Sequence, residues 1–239
     1  MNVEDLLKYK MIFIGDWGTG KSCILNRFAN NQFDEHYQAT IGLDFQSKNI
    51  LIKDQDVRLL LNDTAGHEIF RSLIPMYIWE SHIILFVDDI TRNESFDNIP
   101  KWFSNVLDIK SNEAVFVLIG NKIDIENKRK VSYDEGKKFA YEKYIIFSEI
   151  SAKTGEGFEK LFSEDIFELI YIKFKKDFEK KVLLDSGYDL NDNLENDKNN
   201  YNIANNHIKI ESIVNEKNIE KKKKNVVKFL LIFSKFNEF

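Results

Sequence analysis

Two short stretches hold residues whose types and order suit work on a phosphate ester. "GDWGTGKS", Gly15 to Ser22, has the spacing G-x-x-x-x-G-K-[ST] between an apolar run and a helical pattern. Its glycines allow a tight bend. The successive backbone N–H groups of that bend, with the helix N-terminus behind them, face an anion. Asp16, Trp17, Gly18, Thr19, Gly20 and Cys23 are expected to line the phosphates. Lys21 is expected to reach their outer oxygens, and the Ser22 hydroxyl to bind Mg²⁺. The second stretch, "LLLNDTAGHEIF" (Leu59 to Phe70), ends an apolar run with Asp63, where a carboxylate holds Mg²⁺ through water. Gly66 gives backbone free to approach a terminal phosphate and to move when it leaves. Taken alone, Asp63 reads as an ordinary turn aspartate; the phosphate loop upstream outweighs that reading.

A third stretch, "GNKID" (Gly120 to Asp124), also closes an apolar run. The Asp124 carboxylate can accept from the ring N1–H and the exocyclic amine of guanine, a donor pair that adenine lacks. Asn121 and Lys122 are expected to pack and orient that site, and "SAK" (Ser151, Ala152, Lys153) to place backbone donors near the guanine carbonyl. Each tripeptide alone is a common polar loop. In this order, each at a strand end, they select guanine.

These residues must be held by the elements between them. "YKMIFIG", "VRLLLND", "HIILFVDD", "AVFVLIG" and "YIIFSEI" read as strands, several of them apolar at nearly every position, as parallel strands covered on both faces are. "LDFQSKNILI", from Leu43 to Ile52, alternates instead and reads as an antiparallel edge strand. Helical stripes lie between, the clearest joining Phe158, Leu161, Phe162, Ile166, Leu169 and Ile170. A second stripe, Phe96, Ile99, Trp102, Phe103 and Val106, contains Pro100. Interior proline costs roughly 3 kcal/mol, so a late start or a kink is expected there. The alternation implies an α/β fold, a doubly wound and mostly parallel six-stranded sheet with one antiparallel edge strand and helices on both faces.

Composition limits the rest. The 239 residues are 43% hydrophobic, with a net charge of −5. No basic face of the kind that binds nucleic acid is implied. One cysteine, Cys23, allows no internal disulfide and fits a reducing compartment. The four histidines lack metal-ligand spacing, and no stretch reaches the roughly 18 to 20 apolar residues of a membrane span. A cytoplasmic location is expected. Residues 1–176 are expected to form the folded domain. Residues 177–239 are expected to be an Asn- and Lys-rich tail, mostly disordered, with a basic and apolar end.

From about Lys8 to Ile172 these motifs resemble the Ras superfamily of small GTPases, and within it the Rab family. "YQATIGLDF" (Tyr37–Phe45) and "FRSLIPMYI" (Phe70–Ile78) are similar to the Golgi-trafficking branch of Rabs numbered six. The resemblance implies a P-loop NTPase small G domain that binds GTP or GDP with Mg²⁺, a switch in vesicle traffic, and a monomer. It implies that Thr40 closes over Mg²⁺ and the terminal phosphate, that Phe33 lies against the guanine and that Tyr37 lies near the phosphates. Exchange factor, activating protein and effectors are expected on residues 33–45 and 64–78, and the protein is expected on Golgi or vesicle membranes. A P-loop kinase is opposed by "GNKID" and by the lack of a lid-like insertion with clustered arginines.

Four positions depart from the pattern. His67 stands where the water-orienting glutamine is usual, which implies slow hydrolysis dependent on an activator; with Lys21 and Thr40 it makes up the expected catalytic set. Alternatively, His67 is a solvated loop residue and the protein an interaction module with negligible turnover. Trp17 either crowds an incoming arginine or lies outward. Asn62 replaces the tryptophan of a surface triad whose other members are present as Phe45 and Tyr77. The chain ends "KFNEF", without a prenylatable cysteine. Its cluster Lys221–Lys224 and Lys228, next to Val226, Val227 and Phe229–Phe233, leaves two readings, weak binding to anionic membrane or a solvated end.

Overall fold

The structure, a computed structural model, describes residues 6–35, 43–64, 74–110 and 114–185. Six strands form one sheet: β1 Leu7–Ile14, β2 Leu43–Ile52, β3 Gln55–Thr64, β4 Ile83–Asp89, β5 Val115–Asn121 and β6 Ile146–Ile150, in the order β2-β3-β1-β4-β5-β6. Only β2 and β3 pair antiparallel; every other pairing is parallel. The six-stranded, mostly parallel α/β sheet expected from the alternation of runs is therefore present.

Burial follows the residue pattern. All seven positions of β4 are buried, because its Ile, Leu, Phe and Val side chains are covered on both faces. One core layer gathers Met11, Phe13, Leu59, Leu85 and Val117 with Leu25 and Phe28 of helix α1 (Lys21–Asn30). The other gathers Ile12, Ile14, Ile84, Phe86 and Leu118 with Ile99, Phe103 and Val106. On β2, residues 45–51 alternate between exposed and half-buried, as an edge strand with one solvated face does.

Helix α2 spans Ile74–Glu80. Pro100 has the expected effect. Helix α3 (Asn93–Asp97) stops, and α4 (Ile99–Ile109) begins with Pro100 in its first turn, where an absent N–H leaves no bond unmade. Helix α5 (Tyr133–Lys143) opens on a reciprocal cap between Ser132 and Glu135. The Phe158–Ile170 stripe is helical but not uniform. Lys160–Ile166 is π-helical and runs into α6 (Phe167–Lys173), and Leu161, Phe162, Ile166 and Ile170 are buried. The wider turn keeps residues four apart on one face, a deviation that 3.6-residue periodicity does not reveal.

The boundary expected at residue 176 falls inside helix α7 (Lys175–Asp185). Phe178 of this helix is buried, its ring 6.1 Å from that of Tyr9, while Phe174 stacks on Tyr9 at 4.8 Å. Tyr9 donates its hydroxyl proton to Asp177 Oδ2 at 3.3 Å. The compact unit containing the sheet ends at Val182. Residues 186–239, the rest of the expected tail, lie outside the described residues.

Candidate nucleotide site

The chain runs outward from β1 in both directions across the sheet, so a crevice opens beyond the carboxyl ends of β1 and β4. The phosphate loop occupies this point. At Gly15 a Cβ would lie 2.2 Å from Val87 O of β4, so the turn leaving β1 admits no side chain. Gly20 has a φ of 95°, and a Cβ there would lie 2.3 Å from Asn121 Nδ2. Glycine is thus required at both ends of the bend.

The loop's five consecutive carbonyls all accept from protein side chains. Lys21 Nζ donates to Gly15 O (2.8 Å) and Asp16 O (2.6 Å), and Thr19 Oγ1 to Asp16 O (3.0 Å). Arg92 Nη1 donates to Trp17 O (3.1 Å), Lys122 Nζ to Gly18 O (2.8 Å) and Asn121 Nδ2 to Thr19 O (2.8 Å). With the carbonyls so engaged, the N–H edges are what the loop offers to an anion, joined by the N-terminus of α1. Lys21 is 5% exposed, and burial pushes its pKa down to about 8 against the opposing pull of Asp63 and Asp16. An arriving phosphate supplies the counter-charge this ammonium otherwise borrows from the loop carbonyls.

At the end of β3, Asp63 is buried and its Oδ2 accepts from Ser22 Oγ at 2.5 Å. A hydroxyl and a carboxylate converging from two elements give the hard oxygen donors that suit Mg²⁺. Cys23 is half-buried beside the loop, and burial raises its thiol pKa, so it remains a protonated packing residue.

The residues expected to select the base lie together, and they are wired to the phosphate loop. Asn121 is 1% exposed; while its Nδ2 holds Thr19 O, its Oδ1 accepts from Ala152 N at 3.1 Å. Lys122, in a left-handed conformation (φ 75°), also donates to buried Asp89 at 2.6 Å. Ser151 Oγ donates to Asp124 Oδ1 at 2.6 Å. The Ser151–Lys153 loop is held from α1, where Arg27 donates to Ala152 O (2.9 Å) and Lys153 O (2.5 Å), and Lys153 pairs with Glu35 at 2.8 Å. Phe33 packs half-buried against the core layer that includes α1.

A family model described as the Ras family matches residues 10–171. The chain belongs to the Ras family. Small GTPases of this family bind GTP or GDP with Mg²⁺, generally hydrolyse GTP, and generally act with exchange factors, activating proteins and effectors. The residues present fit those groups: the glycine cradle that a Cβ would fill, the Ser22–Asp63 oxygen pair, and Asp124 beside the loop that Asn121 ties to the phosphate site. Ser22 and Asp63 would hold the Mg²⁺, which would supply positive charge against the phosphates. Lys21, Ser22 and Asp63 gather at the phosphate-loop end of this crevice, and Asn121, Lys122, Asp124 and Ser151–Lys153 at the other.

Tyr37, Thr40, Gly66 and His67 lie outside the described residues. Trp17 is 60% exposed, with the Arg92 guanidinium 5.0 Å from its ring centre. Phe45 and Tyr77 meet at 5.6 Å, whereas Asn62, which pairs with Phe45 across the strands, is buried. Position 62 therefore offers no exposed anchor. The motifs did not point to Arg27, Asp89, Arg92, Asn98 or Trp102. Only Asp89 carried a signal, as a second carboxylate closing an apolar strand.

Proposed function

We propose that this protein is a Rab-type GTP switch that regulates vesicle traffic at Golgi or vesicle membranes and hydrolyses GTP slowly unless an activating protein helps. The observation that carries the switch is the wiring of the base loop to the phosphate loop through Asn121 and Lys122, which makes guanine recognition and phosphate grip one unit. The Rab reading is supported by the likeness of Tyr37–Phe45 and Phe70–Ile78 to that family, and by the meeting of the exposed Phe45 ring with Tyr77. Effectors, exchange factor and activator dock on residues 33–45 and 64–78. With Asn62 buried, the effector surface presents two aromatic members rather than three. Tryptophan anchors are typical hot spots worth ~2 kcal/mol or more, so effector choice differs from that of relatives with all three. The protein works as a cytoplasmic monomer, and its Lys221–Lys224 cluster, with the apolar residues that follow, contacts anionic membrane.

His67, at the usual glutamine position, makes water activation weak; an arginine and a glutamine supplied in trans by an activating protein bypass it. Single-turnover GTP hydrolysis tests this, with a His67→Gln variant expected to be faster than wild type. Hydrolysis at ordinary Ras-family speed by the wild type, or no gain in the variant, would sink the slow-switch reading. The same substitution favours a second reading, a nucleotide-loaded interaction module. Turnover that stays negligible in the presence of an activating protein selects it.

A further inference from the structure

The phosphate loop contains an anion of its own. Asp16 is the second residue of the bend, and its carbonyl is the one shared by Lys21 and Thr19. A free carboxylate here would oppose a polyanionic ligand and compete for Lys21. It is not free: Asn98 Nδ2 donates to Oδ2 at 2.7 Å and Trp102 Nε1 to Oδ1 at 2.9 Å, so each oxygen has one neutral donor. Both donors lie on the first turn of α4. Asn98 is its N-cap residue, with a carbonyl that accepts from Lys101 N and Trp102 N, and Trp102 stands four residues on, over the same face. The helix break imposed by Pro100 is what leaves Asn98 at an end, with its side chain free to reach the loop. On its other side Trp102 lines a cleft with Pro75, Ile78 and Val106.

We propose that Asn98 and Trp102 are positioning residues of the nucleotide site: by holding the Asp16 carboxylate against α4 they keep its carbonyl turned to Lys21 and its charge away from the phosphates. This rests on the reading of the loop as the phosphate grip. Two neutral donors serve the purpose better than a cation, because they fix the carboxylate without placing beside Lys21 a competing positive charge.

The test is the release rate of fluorescent GDP, in Mg²⁺ and in EDTA, from wild type, Asn98→Ala, Trp102→Phe, Asp16→Ala and the two double variants that pair each donor change with Asp16→Ala. Each donor change is expected to speed release roughly ten- to a hundred-fold, the scale of one lost hydrogen bond to a charged group. The preference for guanine over hypoxanthine nucleotides should stay where it is, since Asp124, placed to accept from the exocyclic amine that hypoxanthine lacks, is untouched. With alanine at position 16, neither donor change should matter further. Release within twofold of wild type, equal acceleration with alanine at position 16, or a lowered guanine preference overturns the proposal. Thermal melts of the unloaded proteins accompany the rates. If Trp102→Phe does not fold, Asn98→Ala and its cycle decide. Tight GDP binding by wild type with unmoved variants defeats this proposal alone, whereas no GDP binding by wild type defeats the nucleotide reading as well.

Discussion

Asn121→Ala removes the side chain that joins the two halves of the site. Two bonds are lost, one to Thr19 O at 2.8 Å and one from Ala152 N at 3.1 Å, and both partners sit in residues at most 3% exposed. A buried polar group left without its partner costs about 1–3 kcal/mol, so the pair amounts to about 2–6 kcal/mol. Part of this appears as lost fold stability, because the unloaded protein already makes both bonds. The rest appears in binding, because a ligand must re-order a phosphate loop and a base loop that no longer hold each other. About 2 kcal/mol of the total is expected in GDP affinity, which is roughly a 30-fold weakening. Calorimetric titration of GDP with Mg²⁺ present measures this, and urea unfolding of the unloaded protein measures the share taken by the fold. An affinity within threefold of wild type would refute the reasoning, because it would mean that the two loops are set independently.

Three further outcomes follow from the packing. Gly15→Ala places a methyl 2.2 Å from Val87 O, a clash with backbone that no rotamer relieves, so it should lower stability by more than about 3 kcal/mol in a melt. An Asp88→Asn comparison tests a buried acid on β4. Among the described residues neither of its oxygens has a hydrogen-bond partner, and desolvation, with Glu149 and Asp89 adding to it, raises its pKa to about 8. Folding therefore takes up a proton between about pH 4 and pH 8, and the group's contribution is fully present below that window and lost as pH rises through it. The stability of the Asn variant minus that of wild type should grow by at most ~1.4 kcal/mol per pH unit across that range and then level off. Parallel curves would remove the buried-acid interpretation. Phe178→Ala should cost about 3 kcal/mol if α7 is packed onto β1 through Tyr9, and a melt unchanged from wild type would return the domain boundary to residue 176.

Much of the scaffold was legible because its signals are local. Strand β4 reads from five consecutive apolar residues, Ile83–Val87, β2 from its alternation, and the α3–α4 break from Pro100 alone. The phosphate and base motifs were legible because each joins a required residue type to a strand end. What escaped were the contacts that cross the chain. Arg27 reaches a loop 125 residues away, Arg92 a carbonyl 75 residues back and Trp102 a carboxylate 86 residues back. Nothing in the periodicity of α1 or α4 marks these side chains as bound. Helix α7 escaped for the opposite reason. Its one buried aromatic, Phe178, stands among lysines and acids that read as tail.

The most direct measurement is of the nucleotide carried by the purified full-length chain, followed by competition with GTP and ATP in Mg²⁺. The expected result is close to one guanosine di- or triphosphate per molecule, released by EDTA, replaced by GTP and indifferent to ATP. Material free of guanosine nucleotide, with no micromolar or tighter affinity for it in the presence of magnesium, would contradict the assignment of the site.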